Sequence, residues 1–166
     1  MTAIRTGLRI KTTPIRISVG SLQRKIPVNV VELQNFAAKA IRRCLQLRNR
    51  KQTDLRKLHE VFVWLISDHR MAQLHRKFLR QTGPTDVLTF QHGEIFISVE
   101  AAKRHARTFG NSLARELHLY IVHGFLHLHG FNDQTQTDAR KMDKVQKKIL
   151  HDCSGAATRQ PGSQDR

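Results

Sequence analysis

Residues 60–67, EVFVWLIS, form a nearly continuous apolar run rich in β-branched and aromatic side chains. A run that short and that apolar reads as a buried strand. A buried strand obliges the rest of the chain to supply sheet partners and covering helices. The partners are legible: Ile15, Ile17 and Val19 alternate with Arg16 and Ser18, the period-two pattern of a strand. Residues 86–90 and 94–99 read as two further strands around His92 and Gly93, in the manner of a hairpin.

Helical periodicity fills the intervals. A helix is expected over 30–47, with Val31, Phe36, Ala40 and Leu47 among its apolar positions, running out into a basic connector at Arg48, Arg50 and Lys51. Asp68 is placed to cap a helix reaching residue 79, before Pro84 interrupts the pattern. A short helix over 101–108 is closed by Gly110, and a long one over 113–128 ends with Gly130 where a left-handed cap is expected. A last helix, 137–151, alternates Arg and Lys with Met142, Val145 and Ile149. Residues 1–7 read as a ragged start and 154–166, small and polar, as a disordered tail. With no internal repeat, the expectation is one α+β (α/β-like) domain over 1–153. It comprises a small mixed sheet of about four strands packed with about five helices, and a metal site at the end of a central helix.

Composition narrows the partners. The 166 residues are 39% hydrophobic, enough to close one core. Lys and Arg number 29 against 13 Asp and Glu, a formal charge of +16. Such a surface attracts polyanions: nucleic acid or an acidic membrane face. No apolar run approaches the roughly 18–20 residues of a membrane-spanning helix. Cys44 and Cys153 are too few and too far apart for a disulfide scaffold or a Cys-rich zinc module. The stretch before Glu32, the first acidic residue, is rich in Arg, Ser and Thr, as in an organelle transit peptide. The strand alternation within it points instead to a folded element, and a cytoplasmic protein is expected.

Four of the ten histidines lie between His118 and His129. His123 and His127, four residues apart on the long helix, put both imidazoles on one face within reach of one metal ion. Gly130 stops the helix three residues later, and the reversed chain can bring the Asp133 carboxylate beneath them. Three protein ligands with an open fourth position is the pattern of a catalytic rather than a structural zinc site. His129 is about 200° round the helix from His127 and should point away. His118 is likewise off the ligand face, a packing or solvated residue.

Zinc peptidases with this spacing carry a Glu after the first His as general base. Here that position is Gly124, which cannot transfer a proton. A helical Gly costs about 1 kcal/mol relative to Ala, so another backbone or a substrate is expected to approach closely there. Glu116, two turns before His123, reads either as a group orienting a ligand imidazole or as a surface carboxylate paired with Arg115.

The segment 123–133 reads HGFLHLHGFND; upstream stand PTDVLTF (84–90) and GEIFIS (93–98). The chain thereby resembles the YbeY family of bacterial endoribonucleases, whose patterns are HGxLHLxGYDH, PTDVLSF and GDIxIS. The resemblance is collinear over about residues 15–151. It departs in three places. Asp133 stands where the family usually has its third His ligand, and Glu94 where it has Asp. Leu79 occupies the place of a family Arg set five residues before the PTD proline, so Arg80, adjacent but out of register, is the candidate for that role.

The resemblance implies a metal-dependent, single-strand-specific endoribonuclease of ribosomal RNA 3′-end maturation and ribosome quality control. Its implied partners are single-stranded RNA and the small ribosomal subunit or its assembly proteins, with no DNA or membrane partner. One Zn²⁺ at His123, His127 and Asp133 would polarise a phosphoryl oxygen or activate water. Two imidazoles and a carboxylate leave a divalent ion a net +1 instead of +2, which makes the harder Mn²⁺ a better competitor. Arg80 is the candidate for holding phosphate. Asp86 is the candidate for positioning a water, or else shapes the hairpin as a turn cap. Basic clusters at 42–43, 48–51, 103–107 and 140–148 supply the electrostatic footprint, and RNA binding should weaken steeply with salt. No aromatic RNA-stacking motif is evident. Two other readings stand beside this one: an RNA-binding assembly factor whose metal is structural, and a metallopeptidase, against which Gly124 argues.

Overall fold

Three parallel strands and one antiparallel strand make the sheet, in the order β1-β2-β4-β3. The computed structural model describes residues 14–48, 54–80 and 85–154, and every element below is drawn from these. In chain order they are β1 (Arg16–Ser21), α1 (Val30–Gln46), α2 (Asp54–Lys57), β2 (Glu60–Ile66), α3 (Asp68–Leu79), β3 (Val87–Phe90), β4 (Glu94–Ser98), α4 (Val99–Phe109), α5 (Leu113–Leu128) and α6 (Gln136–Ser154). The expected ragged start at 1–7 lies outside the described residues. So does the expected tail, except for Ser154, which is the last residue of α6.

Strand β2 is the centre of the sheet, but its burial alternates. Val61, Val63 and Leu65 are fully buried, whereas Phe62 and Trp64 are half-buried. The first set joins Ile95 and Ile97 of β4 against α1 and α5 in the main core. The second faces the other side. There α3 lies against β4, and a smaller cluster forms from Ile66, Met71 and Leu88 with Trp64, Leu74, Phe90 and Phe96. The continuous apolar run thus serves two clusters of unequal size.

Helix α1 buries Leu33, Phe36, Ala37, Ala40, Ile41 and Cys44, the recurrence of one helical stripe. Val31, expected in that set, falls off the stripe and is 71% exposed. Side-chain oxygens cap the helices: Asn29 on α1, Ser67 on α3, Ser98 on α4 and Ser112 on α5 each accept an N–H of the first turn. The cap of α3 is therefore Ser67, where Asp68 was expected. The Asp68 carboxylate instead takes hydrogen bonds from Arg104 and Ser98. Burial acts against its charge, but those bonds and the Arg104 and Lys25 charges hold it below the usual carboxylate value.

The outer edge of β1 is closed by a side chain. Gln34 Oε1 accepts from the Val19 N–H at 2.7 Å, and Gln34 Nε2 donates to the Ile17 carbonyl at 2.7 Å. One amide from α1 thereby occupies backbone groups that a further strand would use.

Helix α5 is the central helix. Leu117, Ile121, Val122, Phe125, Leu126 and Leu128 are buried along it. At about 1.5–3 kcal/mol for each large side chain, this anchorage far exceeds the roughly 1 kcal/mol lost at Gly124. Gly124 is closely approached, but by a side chain and not by the backbone or substrate expected: a Cβ there would stand 2.8 Å from both Cδ1 and Cγ2 of Ile95. The neighbour is a core side chain of β4, and the glycine lets the helix sit down on the sheet.

Candidate metal centre

The end of α5 builds the site. Gly130, at φ +92°, takes the left-handed conformation that glycine adopts without penalty. Its N–H bonds the His127 carbonyl at 3.0 Å, and the Phe131 N–H bonds the Leu126 carbonyl at 3.0 Å. These are the paired bonds of a Schellman cap. The cap turns the chain back so that the Phe131 carbonyl faces His127 Nδ1 at 3.1 Å and Asp133 reaches the two histidines.

His123 Nε2 and His127 Nε2 lie 2.9 Å apart, and Asp133 Oδ2 stands 3.9 Å from each. A carbonyl only accepts, so His127 carries its proton on Nδ1. His123 Nδ1 faces Gln146 Oε1 at 3.2 Å and is assigned likewise. Both Nε2 lone pairs therefore converge on one point together with a carboxylate oxygen. That donor set repels itself unless a cation lies among it. Ligand atoms around a tetrahedral zinc stand roughly 3.3–3.4 Å apart, given bonds of about 2.0–2.1 Å. The observed separations bracket that value, so the residues fit a divalent ion.

Burial, and then the neighbouring His127, pull His123 below the ordinary imidazole value, against Gln146, Asp133 and Asp86, which act the other way. The neutral ring is the ligating form. The cluster opens into a cleft of about 390 Å³ lined by Thr85, Asp86, Val87, Leu119, Tyr120 and Gln146 as well as the three donors. A larger groove of about 520 Å³ lies between α1, α5 and α6 beside His118. Among the described residues, the three-donor cluster is in the smaller cleft.

Asp86, expected near the chemistry, lines this cleft, and its Oδ2 stands 3.7 Å from His105 Nδ1. Its backbone carbonyl accepts from Ser98, which joins it to β4 as well. Arg80 is exposed at the left-handed C-cap of α3 and does not line the cleft. His118 packs on Phe36 with ring centroids 3.8 Å apart and meets Glu32 at 2.8 Å. His129 points away from the ligands and is buried with Nε2 3.3 Å from the Leu47 carbonyl. Glu116 fits neither expectation. It is buried and accepts from Asn111 Nδ2 at 2.8 Å, tying the start of α5 to the preceding turn.

Two site residues were not foreseen, Gln146 and Tyr120. Gln146 shares one helix face with Met142 and Ile149, which are both buried, and a polar residue on such a stripe signals a buried polar partner. Tyr120 bears on the cleft with its hydroxyl against His105 Nδ1 at 2.5 Å. Burial, then the charges of Asp86 and Glu116, raise its hydroxyl above the ordinary phenol value.

Fold and site together define a single-domain α+β protein with a His/His/Asp cluster, of a geometry able to hold a metal ion, in an open cleft. The chain belongs to the Endoribonuclease YbeY family, whose model matches residues 19–154. It is 34% identical over 113 residues to Endoribonuclease YbeY of Frankia alni, a match covering 56% of this chain and 62% of that protein. With Endoribonuclease YbeY of Bacillus pumilus the identity is 29% over 153 residues, 80% of this chain and 89% of that one. The fold is similar to the solution structure of TM1509 from Thermotoga maritima, with TM-score 0.58 and 26% identity over 91% of this chain and all of that one (100%). Among the described residues no helix is long and apolar enough to cross a membrane.

Proposed function

We propose that the protein is a metal-dependent, single-strand-specific endoribonuclease of the cytoplasm, acting in ribosomal RNA 3′-end maturation and ribosome quality control on the small subunit or its assembly intermediates. The observation that carries the reading is the convergence of His123, His127 and Asp133 in a cleft open to solvent, in a chain of +16 charge. Zn²⁺ is the proposed ion, with Mn²⁺ a competitor because Asp133 is a hard oxygen donor. Bound there, the ion supplies Lewis-acid polarisation of a phosphoryl oxygen.

The chain's own residues do the rest. Gln146 and the Phe131 carbonyl hold the protons on Nδ1 of His123 and His127 and so keep Nε2 of each ring unprotonated. Asp86, on the cleft wall, is the group assigned to orienting an attacking water. Tyr120 fixes the floor of the cleft beside it. Arg80 lies outside the cleft and is assigned to phosphates along the path of the strand. A peptidase is disfavoured by more than a missing Glu: the place beside Gly124 is filled by Ile95, with no room for a carboxylate.

Single-stranded RNA and casein, each incubated with purified protein with and without chelator, test the reading. Cleavage of RNA alone, abolished by chelator, is expected. His127→Ala separates catalysis from a structural metal. A folded, RNA-binding protein without cleavage supports the enzyme, and loss of the fold supports the assembly factor.

A further inference from the structure

The C-terminal end of α3 exposes two large apolar side chains, Phe78 at 53% and Leu79 at 49%. Their neighbours Arg76, Lys77 and Arg80 are all exposed cations. Phe78 is held in place by a T-shaped contact with Phe90 of β3, with centroids 5.2 Å apart at 73°. Phe90 is itself braced by Phe96 at 5.9 Å and stacked on His92 at 5.6 Å. Lys77 Nζ lies 5.4 Å from the Phe78 centroid. The result is an aromatic ring, more than half exposed, on a helix end that also carries three exposed cations.

A partner that satisfies this patch must offer flat π-faces and negative charge in alternation. Single-stranded nucleic acid does so, with bases for the ring and phosphates for the cations. An apolar peptide would leave three cations unpaired, and an acidic peptide would leave the ring wet. The patch is also tethered close to the cleft in sequence. Arg80 is five residues from Thr85, which lines it, so their α-carbons are at most about 18 Å apart.

We propose that Phe78 is a stacking platform for a base of single-stranded RNA, with Lys77 and Arg80 on the adjoining phosphates. This rests on the endoribonuclease reading and adds to it a place where the substrate is held outside the metal cluster. It also supplies the aromatic contact that no sequence motif announced.

The test is anisotropy titration of metal-loaded protein with a 5′-labelled, 2′-O-methyl single-stranded 12-mer, recovered intact afterwards. Phe78→Ala and Phe78→Leu should each weaken binding about five- to hundredfold, with an unchanged slope of log Kd on log salt. Lys77→Ala should lower that slope by about 0.7. Phe78→Trp should bind within about twofold of the parent chain. Its added emission, over that of Trp64, the single tryptophan present, should be quenched by the RNA. In cleavage, Phe78→Ala should raise KM and leave kcat in place. Parental affinity in Phe78→Leu would show that the ring only packs, and parental affinity in Phe78→Ala would free the patch for another partner; either result overturns the proposal. If the parent chain neither binds nor cuts single-stranded RNA, the functional reading falls and the platform with it. If the parent cuts and binds while Phe78→Ala binds equally well, the platform alone falls.

Discussion

Gln146 on α6 places its Oε1 3.2 Å from Nδ1 of His123 on α5, so the last helix holds the proton position of an imidazole of the three-donor cluster on the central one. Removing that acceptor frees the ring to turn or to change tautomer. Gln146→Leu should lower metal affinity by about 10- to 100-fold, and Gln146→Glu, which keeps an acceptor, should retain most of it. Competition against a chromogenic chelator reads both. Equal affinities in all three proteins would remove Gln146 from the site.

Gly124→Ala sets a helix gain of about 1 kcal/mol against overpacking of about 1–3 kcal/mol. The contacted atoms, Ile95 Cδ1 and Cγ2, belong to a fully buried, β-branched side chain with little freedom to move. Urea unfolding should therefore show a net loss of up to about 2 kcal/mol. Part of the loss should vanish in an Ile95→Val background, where Cδ1 is gone. A more stable Gly124→Ala protein would mean that the sheet yields.

Asp133→His changes the donor set to three neutral imidazoles. The ion then keeps its full +2 charge, and selectivity should move from Mn²⁺ towards Zn²⁺. Metal analysis after equilibration with an equimolar mixture measures the shift. Unchanged stoichiometry and selectivity would sink the argument from ligand charge.

Burial lowers His118 and His129 below the ordinary imidazole value, against Glu32 in the first case and the Leu47 carbonyl in the second. The folded state thus binds fewer protons than the unfolded chain as pH falls below about 6.5. Their contribution is complete above that pH and is lost as pH falls through the folded values. Urea midpoints should decline from pH 7 to pH 5, and His129→Asn should flatten the decline. A midpoint that rises on acidification contradicts the assignment.

The thiols give a simpler test. Burial, then the neighbouring Cys153, push Cys44 up to about 12, and a thiol that stays protonated is a poor nucleophile. Native protein at pH 8 should react slowly with an aromatic disulfide reagent at Cys44, and quickly once unfolded. Immediate reaction of both cysteines in the native state would contradict this.

Most of this architecture is written in local pattern. Apolar runs and alternation place all four strands, and the His123–Gly130 spacing contains both histidines of the cluster and the turn that delivers Asp133. What escaped depends on how the elements pack and on side-chain partners that no local pattern names. Asp68 resembles a cap until Arg104, 36 residues away, is brought to it. Ser67, one residue earlier, then takes the cap. Glu116 has the spacing of a ligand-orienting group, but Asn111 in the preceding turn holds it. Val31 is apolar and helical yet faces solvent, because the stripe is set by where α1 meets the sheet. Gln146 is separated from its ligand by 23 residues, and only its place on a buried stripe betrayed it.

The amide of Gln34 has a consequence for how this protein behaves in a crowd. Strand β1 lies at the margin of the sheet, and an uncovered margin invites a neighbouring copy to extend the sheet into a fibre. By holding the Ile17 carbonyl and the Val19 N–H, Gln34 denies that neighbour its footing. A second copy approaching along that margin finds these two backbone groups already taken.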